Sequence, residues 1–140
     1  LHEFNRYHGL SKQDAVFFNM SDLICDLART EDCVIMGRCA DSILTNNHIP
    51  HLSIFISAPF PLRVQRIMAS KNMDLRHASR FLKQMDRQHQ KYYDFYTYGR
   101  WGHPENYDLC INSANYGIRE TIDLIERLID IPGKTGNEGA

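Results

Sequence analysis

Three short apolar runs, Cys33-Val34-Ile35-Met36, Leu52-Ser53-Ile54-Phe55-Ile56 and Leu109-Cys110-Ile111, stand among longer stretches whose apolar residues recur every three or four positions. Runs of this length, the first closed by Gly37 and the second by Ala58-Pro59, read as buried strands, and the stretches between them as amphipathic helices. The connections are long enough for crossovers, which directs the chain toward an α/β sheet with parallel strands. Its 140 residues suit one domain with a substantial core.

The helices are marked by their ends as well as their period. Ser11, with Asp14 three residues on, is a candidate N-cap for a helix carrying Phe17, Met20, Leu23, Ile24 and Leu27 and ending near Thr30. A short helix fits residues 40–46, stopped by the turn formers Asn46 and Asn47. Pro61 suits the first turn of a helix through Leu62, Val64, Ile67 and Met68. Another is expected after Asp74, with Ala78, Phe81, Leu82 and Met85 on one face, and a last one runs from Ile118 to Ile129. Residues 1–131 are expected to form one domain with a frayed tail at 132–140, and the aperiodic opening 1–10 reads as cut from something longer.

Charge and composition exclude several classes of function. Sixteen Lys and Arg against 17 Asp and Glu leave a net charge of −1, so no global field draws the chain to nucleic acid or anionic lipid, and anion affinity must be local. No apolar stretch approaches the roughly 20 residues that cross a bilayer, and no signal peptide is visible; the expectation is a cytoplasmic protein without a membrane partner. Cys25, Cys33, Cys39 and Cys110 form no Cys-x-x-Cys pair and are expected to be reduced. The seven His lack metal-ligand spacing, so no metal site is predicted. Gly133-Lys134-Thr135 imitates the end of a phosphate loop, but Leu128 occupies the position where the first glycine is required.

Three features carry possible chemistry. Gly37-Arg38-Cys39-Ala40-Asp41 follows the first apolar run, and ligands of α/β proteins bind at the carboxyl ends of parallel strands. Arg38 there could grip a phosphate with two parallel hydrogen bonds, oriented by Asp41; equally, it could be a surface arginine beside a helix cap. Arg63 and Arg66 lie one turn apart, and Arg76, Arg80, Lys83, Arg87 and Lys91 follow at helical spacing, either a repulsive stripe that an anion would relieve or a solvated face. Tyr92-Tyr93-Asp94-Phe95-Tyr96 and Trp101-Gly102 could stack the bases of single-stranded RNA, although rings packed beneath a loop are the commoner arrangement.

The segments Val34-Ile35-Met36-Gly37-Arg38-Cys39-Ala40-Asp41, Phe55-Ile56-Ser57-Ala58-Pro59, Tyr92-Tyr93, Trp101-Gly102 and Asn106-Tyr107-Asp108-Leu109-Cys110-Ile111-Asn112-Ser113 together resemble the cytidylate kinase-like family of P-loop nucleoside monophosphate kinases, from about residue 11 to 129. The resemblance implies a three-layer α/β fold, a parallel sheet with helices on both faces, and a lid over about 62–100. It also implies transfer of the ATP γ-phosphoryl group to CMP or a related pyrimidine nucleotide with Mg2+, by positioning and charge neutralisation. Small nucleotides are thus the implied partners, and nucleic acid is disfavoured.

By the same resemblance Arg38 is expected to bind the acceptor phosphate and Asp41 to help fix that site, while Arg63 suits the ATP base and Arg66 the ATP phosphates. Asp86 and position 89 match an Asp-x-x-Arg element whose carboxylate faces the acceptor nucleoside and whose arginine faces the transferring phosphoryl. Position 89 is His89, which replaces a permanent forked cation with a titratable ring; Arg87 and Lys91 are neighbours that could substitute. The family's N-terminal strand and Gly-rich phosphate loop are absent from this sequence, and that strand would lie between the runs at 33–37 and 52–56. A fragment is therefore expected, with a noncatalytic phospholigand-binding module or remnant as the alternative.

Overall fold

A computed structural model of the chain describes residues 10–131, so the predicted tail at 132–140 and most of the opening 1–10 lie outside the described residues. The chain divides between Pro50 and His51 into two compact units.

In the first unit, helix α1 (Lys12–Thr30) begins where its cap predicts: the Ser11 hydroxyl accepts from the Asp14 amide at 3.2 Å and donates to the Asp14 carboxylate at 2.7 Å. The Glu31 amide closes its far end on the Leu27 carbonyl. Helix α2 (Ala40–Asn46) packs against α1, and the core of this unit is built from Phe17, Ile24, Cys25, Cys39, Ala40, Ile43, Leu44 and Ile49. Of the face predicted for α1, Leu23 and Leu27 remain exposed.

The run at residues 33–36 is not the buried strand predicted from its composition. It lies outside any regular element, with Val34 92% and Met36 88% exposed. A strand exists only where a neighbour takes its amides and carbonyls, and among the described residues none does. An apolar run specifies the wish for a neighbour and cannot supply one.

The second unit contains strand β1 (Ile54–Ser57), helices α3 (Phe60–Lys71) and α4 (Leu75–Thr97), strand β2 (Leu109–Asn112) and helix α5 (Ser113–Ile129). The two strands pair in parallel, from Ile54 opposite Leu109 to Ser57 opposite Asn112. Among the described residues this is a two-stranded sheet, smaller than the three-layer sheet expected; of the register partners Ile56 and Ile111, Ile111 is buried and Ile56 is exposed.

Helices α3 and α4 form a hairpin. Pro61 occupies the first turn of α3, Asn72 ends it in the left-handed conformation, and the Asp74 carboxylate caps α4 by accepting from the His77 amide at 2.8 Å. Val64, Ala78 and Leu82 are buried at the seam, with Phe60, Ile67, Met68 and Met73 packed around them. Helix α4 continues to Thr97, with Tyr93 buried in its last turns. Asn112 caps α5 by accepting from the Ala114 amide, and Gly117 (φ 79°, ψ 170°) interrupts that helix just before the apolar period predicted from Ile118 begins. No described helix is long and apolar enough to cross a membrane.

Candidate functional site

Arg38 sits in a backbone segment that L-residues avoid. Gly37, Arg38 and Cys39 have consecutive φ values of 69°, 60° and 58°. The left-handed conformation costs each non-glycine residue about 1–2 kcal/mol, so the turn persists only because its flanks hold it. Those flanks are visible: Cys39 is buried, the Ala40 amide donates to the Gly37 carbonyl at 3.1 Å, and the Ile43 amide donates to the Cys39 carbonyl at 2.9 Å. Burial, followed by the charge of Asp41, pushes the Cys39 thiol up to about 12, so it is no nucleophile at neutral pH. The effect is to present an exposed Arg38 at the entrance to α2, with Asp41 in the first turn of that helix.

The remaining candidates belong to the second unit, where α3 sends its two arginines to different partners. Arg63 reaches across the hairpin and donates from both terminal nitrogens to the two carboxylate oxygens of Asp86, each at 2.8 Å. Those hydrogen bonds raise the Arg63 pKa above its ordinary value, against the opposing effect of burial. Arg66, a turn later, donates to the Ser113 hydroxyl at 3.3 Å, and that buried hydroxyl donates in turn to the Ser57 carbonyl at 3.1 Å. Arg66 is thereby fixed at the carboxyl ends of both strands, where an α/β protein holds ligands.

Asp86 and His89 diverge. The His89 ring lies 5.5 Å from that of Trp101, which packs edge-on against Phe55 at 5.7 Å; Tyr107 adds a third ring at 5.0 Å from Phe55. Gly102 makes this nest possible, since a Cβ there would come within 2.9 Å of the Phe55 ring. The Trp101 amide is pinned by the Asp94 carboxylate at 2.9 Å. Trp101 is thus packed on a strand residue, as the less exotic of its two readings holds. Arg87 is exposed on α4 and meets none of the other candidates through a hydrogen bond or ion pair. Ser57 and Ser113 were not selectable from sequence: Ser113 ends the resembling stretch, but only the fold shows it bridging Arg66 to β1.

A parallel strand pair joined through helices, with a guanidinium held at the strand ends, defines an α/β protein. The chain belongs to the cytidylate kinase-like family, which its residues 1–115 match. Among solved structures it is similar to an uncharacterized protein from Eubacterium ventriosum ATCC 27560, with 30% identity and a TM-score of 0.78 over 85% of this chain and 74% of that one. No curated protein matches it.

Proposed function

We propose that the protein is a nucleoside monophosphate kinase, transferring the γ-phosphoryl group of ATP to CMP or a related pyrimidine nucleotide. Family membership over residues 1–115 is the observation that carries this reading. Arg38 would take the acceptor phosphate, with Asp41 beside it, and the strain at residues 37–39 supports a role that outweighs a stability cost. Arg66 would meet the ATP phosphates at the strand ends, Arg63 the ATP base, Asp86 the acceptor nucleoside, and Arg87 with His89 the transferring group. Mg2+ would arrive with ATP and neutralise charge on its phosphates.

The reading requires a larger P-loop sheet, with a further strand that is not among the described residues and a Gly-rich loop that the sequence does not show. The exposed apolar run at 33–36 supports it, because an uncovered strand-like run is what an absent neighbour leaves behind. The test is to incubate the full-length protein with ATP, Mg2+ and CMP and look for CDP. Absence of product with CMP, dCMP and UMP would overturn the proposal. One observation favours a second reading, a noncatalytic nucleotide-binding module: His89 stands where the family element has arginine and packs on Trp101. CMP binding without turnover would select it.

A further inference from the structure

Family resemblance gives Arg63 and Asp86 to opposite substrates, the first to the ATP base and the second to the acceptor nucleoside, yet the two side chains hold each other. Both terminal nitrogens of Arg63 and both oxygens of Asp86 are used, at 2.8 Å each, in a planar fork-to-fork pair. The side chains are 31% and 30% exposed, so the pair is sheltered but still reachable. Among the described residues it is the one ion pair joining α3 to α4, and it lies beside the seam formed by Val64, Ala78 and Leu82. The ring of Phe60 lies 5.7 Å from the guanidinium carbon.

A guanidinium whose fork is filled by a carboxylate cannot offer that fork to a phosphate. It can still offer the flat face turned away from Phe60, and a flat face is what stacks on a base. Conversely, a carboxylate with both oxygens committed to Arg63 is a poor first partner for a sugar hydroxyl or a base edge. We infer that Asp86 is a positioning residue acting through Arg63: it fixes the plane of the guanidinium and so belongs to the ATP side of the site, away from the acceptor. The inference rests on the nucleotide-binding reading above and reassigns one of its residues.

The experiment measures ATP and CMP binding separately by calorimetry, with thermal midpoints in parallel, for the full-length wild type, Asp86→Asn, Arg63→Lys and the double variant. Asp86→Asn is expected to weaken ATP about tenfold and to leave CMP within about twofold, and the double variant to bind ATP no more weakly than Arg63→Lys alone, because coupled residues are not additive. A loss confined to CMP would overturn the reassignment in favour of direct acceptor contact. A lowered midpoint with both affinities intact would overturn it in favour of a purely structural pair. If ATP responds as expected while no nucleotide is phosphorylated, the kinase reading falls and the role of Asp86 stands; if the wild type binds no ATP, both fall.

Discussion

Replacing Arg38 by alanine and by glycine separates its backbone from its side chain. Both substitutions remove the guanidinium, so the difference between them reports what φ 60° costs a residue with a Cβ, less the extra unfolded-state entropy of glycine. That cost is about 1–2 kcal/mol. Glycine gives back about 0.5–1 kcal/mol through the extra entropy of its unfolded chain. Arg38→Gly should therefore be more stable than Arg38→Ala by about 0.75 kcal/mol, the middle of a range of about 0–1.5 kcal/mol and the reverse of the order found inside helices and strands. With a urea m-value of about 1–3 kcal/mol/M, the midpoint separates by about 0.2–1 M at constant m. Both variants should lose CMP affinity alike, by about 2–3 kcal/mol if the guanidinium makes charged hydrogen bonds to the phosphate. An alanine variant more stable than the glycine one would refute the left-handed turn. Equal CMP affinity in wild type and variants would refute the role of Arg38.

Other parts of the structure give sharper stability tests. Ser113→Ala removes a buried hydroxyl that links Arg66 to the Ser57 carbonyl, and it should cost about 1–3 kcal/mol in thermal or urea unfolding, without loss of helix content by circular dichroism. Gly102→Ala pushes a Cβ to 2.9 Å from Phe55 at a φ of 73°, so it should destabilise by about 1–3 kcal/mol and alter the near-UV aromatic spectrum; an unchanged melt would contradict the packing of that loop. The His77 amide and then its ring hold the Asp74 carboxyl below its ordinary 3.8. A lowered carboxylate pKa contributes stability above the ordinary value and loses it as pH falls through the folded one. The stability advantage of wild type over Asp74→Asn should thus be present near neutrality and shrink below about pH 4; a difference constant down to pH 2 would contradict the cap.

Local signals were legible and long-range ones were not. Ser11, Pro61 and Asp74 each start a helix as their chemistry predicts, because a cap is a contract among residues three or four apart. Leu109-Cys110-Ile111 is a strand because a parallel neighbour exists for it. Cys33-Val34-Ile35-Met36 has the same composition and no neighbour among the described residues, so the same reading fails there. Among the candidate residues, the sequence singles out Arg63, Arg66 and Asp86 in the second unit but not the partners they meet there. Arg63 and Asp86 are 23 residues apart, and only the hairpin packing of Val64 on the α4 face sets which carboxylate the guanidinium meets. The consecutive left-handed residues at 38 and 39 carry no compositional mark, since neither arginine nor cysteine favours that conformation.

The sequence contains a single tryptophan, and the fold seats it on Phe55 from β1, beside His89 from α4, with its amide tied to Asp94. Indole emission is quenched and shifted by such neighbours, so the molecule carries its own optical reporter at the junction of a strand, a long helix and an aromatic loop. A change that loosens any of the three should be visible in fluorescence without a label.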